Sequence, residues 1–281
     1  MNNLDVIGTR LGLGCARLGS VLGRDRADAI RLVQTAFDRG VRFFDTADIY
    51  GQGESERLLG AALGGKRQQT TIVTKAGQYF PAWMRAAQPF KGMMAPLIRR
   101  SGGGRRLVAK MRDAPLPQDF SSRYLRARIE ASLRRLKTDH VDLMLLHSPP
   151  AHVIVDGEAV GHLDAIKTAG KAVAIGVSCE DVDTATAALD DLRIEAIELP
   201  LWPMTAHTDI FLDRAHRRGI LVIGRGLMRA AGSASDGEQW RGALAAALTR
   251  GDIGRLLIGT TRVAHLAQVL EAIQKQGEPC S

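Results

Sequence analysis

Residues 122–147, SRYLRARIEASLRRLKTDHVDLMLLH, carry the unit that decides the fold. Ser121 is placed to cap a helix over 122–136, and 141–147 reads as a short strand. That strand is a near-continuous apolar run rather than an in–out alternation, as expected of a parallel strand covered by helices. Toward the N-terminus the same pattern gives strands at 10–15, 41–44 and 71–75, with helices at 24–39 and 54–63. In the first of these helices Ala29, Ile30, Val33, Ala36 and Phe37 share one face and Gly40 is the stop. Toward the C-terminus it gives strands at 172–178, 196–199, 220–223 and 255–259. Helices are expected near 160–169, at 181–192 and 209–217, near 238–249 and at 263–274.

Eight strand–helix units in 281 residues predict an α/β fold, a closed (β/α)8 TIM barrel, with residues 1–281 as a single domain. An open doubly wound sheet is the alternative. The stretch LGLGCARLG after the first strand is not a dinucleotide fingerprint with a helix directly behind it, and no Walker A motif occurs. The connection at 76–118, between strand three and helix three, is too long for a simple loop and predicts a flap or lid.

That segment also carries the charge. The formal net charge is +8, and 76–118 holds eight Lys or Arg against one acid, leaving the rest near neutral. Tyr79, Phe80, Trp83 and Phe90 fill its first half, and Arg99, Arg100, Arg105, Arg106, Lys110 and Arg112 its second. An aromatic and basic flap suits a ring-containing or anionic substrate. Six cations on one loop without a recognised module make nucleic acid a poor partner. No apolar run is long enough to span a bilayer, and no signal-peptide core follows the N-terminus. Cys15, Cys179 and Cys280 are scattered, odd in number and without metal-ligand spacing, so a reducing, cytoplasmic setting without a metal is expected. Oligomeric state is not legible here.

Residues at the C-terminal ends of barrel strands converge on one pocket. Asp45 ends strand two and Tyr50 follows in the turn; Lys75 ends strand three and His147 strand four. An acid, a phenol, an ammonium and an imidazole at one rim suit proton transfer to a carbonyl oxygen. Lys75 would favour the phenolate of Tyr50, Asp45 would hold the ammonium, and His147 would orient the oxygen. The partner for such chemistry is a hydride donor. Singly, each residue has a structural reading: a cap, a rim aromatic, a paired lysine, a satisfied histidine.

FFDTADIYG at 43–51, SERLLG at 55–60, TK at 74–75 and EASLRRLKTDHVDLMLLHSP at 130–149 resemble the aldo-keto reductase family. GVS at 176–178, the turn around Gly226 and LIGTTRVAHL at 257–266 extend the resemblance over essentially the whole chain. It implies a (β/α)8 barrel that reduces aldehydes and ketones, or oxidises the alcohols, with NADP(H) more than NAD(H). Tyr50 would be the general acid/base, completed by Asp45, Lys75 and His147. It also implies that Gly259, Thr260, Thr261, Arg262 and His265 cradle the 2′-phosphate, where a helix N-terminus suits an anion. Arg225 would meet the pyrophosphate.

The nicotinamide pocket departs from the family pattern. The family's Ser-Asn after strand five reads Ser178-Cys179, and its strand-six Gln is Glu198. A carboxylate accepts from a carboxamide NH2 but cannot donate to its carbonyl. It also favours the oxidised, positively charged ring unless an arginine such as Arg225 neutralises it. The stacking aromatic aligns with Leu201, next to Trp202, and the terminal Glu-Asn reads Gln268-Val269. Two alternatives follow: a redox-neutral lyase or epimerase with tightly held cofactor, motivated by Glu198, and a non-enzymatic reductase-like binding subunit.

Overall fold

The computed structural model describes residues 10–20, 23–82, 84, 103, 115–227 and 237–274. Its eight strands are β1 (Leu11–Gly14), β2 (Phe43–Asp45), β3 (Thr71–Ala76), β4 (Val141–His147), β5 (Ala172–Ser178), β6 (Ala196–Pro200), β7 (Leu221–Arg225) and β8 (Arg255–Gly259). They pair in parallel, in chain order, and β8 closes on β1. The helices among the described residues are α1 (Arg26–Asp38), α2 (Glu54–Ala62), α3 (Ser122–Leu136), α4 (Ala151–Asp156), α5 (Glu158–Thr168), α6 (Val182–Ala188), α7 (Ala206–Arg217), α8 (Gly237–Thr249) and α9 (Val263–Gln274). None is long and apolar enough to cross a membrane.

The ends of the elements follow local chemistry. Asp25 caps α1 by accepting from the Asp28 amide, and Ser121 caps α3 by accepting from that of Tyr124. The sixth-unit helix begins at Ala206, three residues before the position expected, because Thr205 and Thr208 close a reciprocal capping box. The expected helix at 181–192 stops at Ala188. The sequence reading missed α4, which starts after Pro150 and ends at Gly157 in the left-handed region.

Two apolar layers surround the strands. Phe43, Val73, Leu143, Leu145, Ala174, Ala196, Leu221, Ile223 and Leu257 fill the barrel interior. A larger layer, including Leu32, Phe44, Leu59, Ile129, Met144, Val177, Phe211 and Ile258, lies between barrel and helices. Strands β2 to β8 send alternate residues to these two layers, while β1 turns Gly12 toward Phe43 and Leu257 inside.

The long connection after β3 leaves and returns at one point. Gln78 and Gln118 form an antiparallel bridge, Tyr79 N–H donates to Pro117 O at 2.9 Å, and Asp119 N–H donates to Gly77 O at 2.7 Å. Trp83, Phe90, Arg99, Arg100, Arg105, Arg106, Lys110 and Arg112, on which the flap reading rests, lie outside the described residues.

Candidate active site

The interior layer predicts the site. Two residues beyond Phe43, Val73, Leu145, Ala196, Ile223 and Leu257 come Asp45, Lys75, His147, Glu198, Arg225 and Gly259, and four beyond Ala174 comes Ser178. A period of two keeps all of them facing inward at the C-terminal mouth. The polar residues singled out from strand ends thus converge.

Tyr50 is placed by the turn after β2. Thr46 and Ser55 hydroxyls share a hydrogen bond at 2.8 Å, Ser55 donates to Cys15 O at 3.0 Å, and the Asp48 amide donates to Lys75 O at 3.1 Å. Gly51 and Gly53 have φ of 60° and 86°, which glycine adopts without a side-chain penalty. A Cβ on Gly51 would lie 2.9 Å from Gly19 O. The chain therefore reverses tightly behind Tyr50 and enters α2.

Lys75 is fully buried and ion-paired to Asp45 Oδ1, and its Nζ also donates to Thr46 O at 3.2 Å. Nζ lies 5.5 Å from the Tyr50 ring centroid. The His147 ring meets that ring edge-on, with centroids 5.6 Å apart. Burial pushes the Tyr50 phenol up to about 12, outweighing the opposing pull of Lys75. Lys75 pulls toward the phenolate as expected, but the net shift at rest is set by burial. Burial, then Lys75 and Arg225, holds His147 well below the usual imidazole range and so neutral. Burial and then Glu198 push the Asp45 carboxyl up, against Lys75. Burial acts to lower Lys75, but Asp45 and Glu198 override it and keep the ammonium charged.

Glu198 does not stand as an isolated charge. It is 1% exposed; Oε1 accepts from Ser178 Oγ at 3.1 Å and lies 3.3 Å from Arg225 Nε. Lys75 Nζ is 3.1 Å from Oε2, an ion pair whose angles leave that oxygen without a hydrogen bond. Arg225 also reaches Glu180 Oε2 at 2.9 Å and donates to Cys179 O at 2.9 Å. Cys179 contributes that carbonyl; its thiol is packed in the outer layer and pushed up by burial. Leu201 is buried against Gly224, and Trp202 packs on the same layer. Sequence reasoning missed the Glu198–Lys75 contact, which depends on barrel closure, and the part of Glu180, which lies just past β5 and reaches Arg225 on β7.

Beyond β8, Thr260 is buried, Arg262 is exposed, and the Arg262 amide donates to Thr260 Oγ1 at 3.1 Å as the chain enters α9. Thr261 and His265 are half-buried; the His265 ring lies 6.3 Å from that of Trp240. Burial and then Arg262 lower the His265 pKa. Among the described residues no group of three or more His, Cys, Asp or Glu could hold a metal ion.

A closed parallel barrel with its polar residues gathered at the C-terminal mouth belongs to the (β/α)8 class, whose sites are built there. Residues 10–277 match the model of the aldo/keto reductase family, and the chain belongs to that family. A 6-dehydroglucose reductase from Agrobacterium fabrum is 32% identical over 174 residues, 60% of this chain and 50% of that protein. A D-threo-aldose 1-dehydrogenase from a Pseudomonas species is 31% identical over 199 residues, 66% and 55% of the two. The chain spans about half the length of the curated relatives it matches. An aldo-keto reductase from Bacillus halodurans in its holo form superposes with a TM-score of 0.75 at 21% identity, over 98% of this chain and 89% of that one. One from Klebsiella pneumoniae in complex with NADPH gives 0.67 at 18% identity, over 95% and 86%.

The family uses nicotinamide cofactors, and the mouth fits one. Gly14 pairs in register with Asp45 on one side and with Gly259 on the other. The rim beside the tyrosine group therefore bears no side chains over two strands, and a Cβ on Gly259 would meet nothing within 4 Å. This bare step leads from Asp45 to the first-turn amides of α9, which have no acceptor within their own helix.

Proposed function

We propose that the chain is a cytoplasmic enzyme that reduces an aldehyde or ketone to its alcohol, or runs the reverse oxidation, with NADP(H) and with Tyr50 as general acid/base. The observation that carries this reading is the Tyr50 ring with the Lys75 ammonium 5.5 Å and the His147 ring 5.6 Å from its centroid, near the bare rim at Gly14 and Gly259.

When bound, the nicotinamide supplies or takes the hydride at the carbonyl carbon. Every proton step falls to this chain. Tyr50, with its pKa pushed up to about 12, keeps its proton through the neutral range and yields it to an oxygen acquiring alkoxide character, a far stronger base. Lys75 stabilises the phenolate left behind, and Asp45 holds the ammonium in place. Neutral His147 offers an N–H to orient the carbonyl oxygen. Arg262 and the start of α9 would receive the 2′-phosphate, Thr260 shapes that turn, and Arg225, held by Glu198 and Glu180, would meet the pyrophosphate.

Sugar carbonyls head the substrate panel, because relatives are named for 6-dehydroglucose and D-threo-aldose. The redox-neutral alternative drew on an unbalanced Glu198. With Lys75, Arg225 and Ser178 around that carboxylate, its motive is gone. The test is Tyr50→Phe, which loses at least about 100-fold in carbonyl reduction while NADPH affinity measured by calorimetry stays near wild type. Wild-type turnover by this variant overturns the reading.

A further inference from the structure

Glu198 occupies the inward position of β6, and its carboxylate is engaged by this chain's own charges and a hydroxyl. Ser178 donates to it, Lys75 and Arg225 flank it, and Arg225 continues to Glu180 on the rim. The result is an alternating series across the mouth: Asp45, Lys75, Glu198, Arg225, Glu180. Lys75, fully buried, has two carboxylates where one would neutralise it.

We propose that Glu198 is a positioning residue that shares the Lys75 ammonium with Asp45 and ties it to Arg225, rather than a ligand of the cofactor's carboxamide. The inference rests on the reading of Tyr50 as general acid. A buried ammonium without a carboxylate is strongly destabilised, whereas one that keeps either of two partners is not. Asp45 and Glu198 therefore back each other up. The Ser178 hydroxyl proton is engaged by Glu198, which removes a second donor from carboxamide recognition.

The groups facing Lys75 are Asp45 on β2, Tyr50 in the following turn, His147 on β4, Glu198 on β6 and, through Glu198, Arg225 on β7. Cys15, after β1, is within electrostatic reach. Replacing Glu198 by Gln removes a negative charge, so both the ammonium and the Tyr50 phenol lose their protons more readily. The alkaline limb of carbonyl reduction then moves to lower pH. A role confined to packing does not move that limb.

The experiment compares Asp45→Asn, Glu198→Gln and the double variant of the full chain, in NADPH-dependent reduction across pH and in calorimetry with NADP+ and NADPH. Expected are measurable turnover in each single variant and a double variant at least about tenfold below the product of the two single effects. The alkaline limb of Glu198→Gln shifts downward, with both cofactor affinities within about threefold of wild type. Independent effects with an unmoved limb overturn the proposal. So does a Glu198→Gln that weakens both cofactors tenfold with kcat intact, which assigns Glu198 to the carboxamide. If the double variant does not fold, adding Lys75→Met restores a cooperative melt, because the unpaired ammonium is gone; failure to recover overturns the proposal too. That melt needs no turnover, so it judges the shared ammonium even where Tyr50→Phe has refuted the general-acid reading.

Discussion

A Cβ on Gly60 of α2 would lie 2.6 Å from the backbone oxygen of Arg135 on α3. The two helices touch where one of them has no side chain, and the neighbouring Leu136 carbonyl is as close, at 2.7 Å for its oxygen. This contact sets how α2 and the Tyr50 turn before it sit against α3. A backbone neighbour cannot rotate away as a side chain can.

Gly60→Ala is therefore expected to destabilise the protein by about 1–3 kcal/mol, the scale of forced overpacking, despite alanine's better helix propensity. Urea unfolding measures it. A variant as stable as wild type means the helices separate without cost.

Arg262→Ala should weaken NADPH by about 1.5–3 kcal/mol, the scale of hydrogen bonds to a charged group, and leave NADH nearly unchanged. Arg262 is exposed at the turn into α9, where its charge adds to that of the helix terminus. Calorimetry with both cofactors decides. Equal losses place the phosphate elsewhere.

Asp48 gives a pH prediction. Its side chain is buried and Oδ2 accepts from Arg128 Nε at 2.5 Å, yet burial outweighs that guanidinium and, with Glu56 adding to the rise, pushes the carboxyl from 3.8 to about 7. The folded chain thus keeps a proton that the unfolded chain releases. Stability from this group is present below the unfolded value and is lost as pH rises through the folded one. Wild type should lose more stability than Asp48→Asn between pH 5 and pH 8, by up to about 1.4 kcal/mol per pH unit inside the window. His147, depressed by burial, contributes the opposite slope in acid, but it is common to both proteins and cancels in the difference. Parallel urea midpoints across that range would refute the assignment.

The strands most legible in the sequence were those flanked by strong punctuation. β4, β5 and β8, with α3 and α9, fall on the residues read from apolar runs and caps. The helix α4 went unread because it is only six residues long, although Pro150 is compatible with a helix start and Gly157 with a stop. Asp45, Lys75 and His147 were legible because each ends an apolar run on the inward parity. The direction of Cys179 was not, since a residue just past a strand can turn either way. Arg225 was in view as a partner for Glu198, since β7 neighbours β6, but Lys75 was not: it comes from β3, and only closure of the barrel brings it across to Glu198.

The bridge between Gln78 and Gln118 makes everything strung between them a side branch of the chain. A segment that departs and rejoins at adjacent points can be exchanged like a cassette, because the strand before it and the helix after it are already joined at its base. Splicing Tyr79 to Pro117 through a two- or three-residue turn would leave the parallel pairing of β3 with β4 untouched. The length and chemistry of what is strung from that port can therefore change without altering the register of the strands that carry the rim.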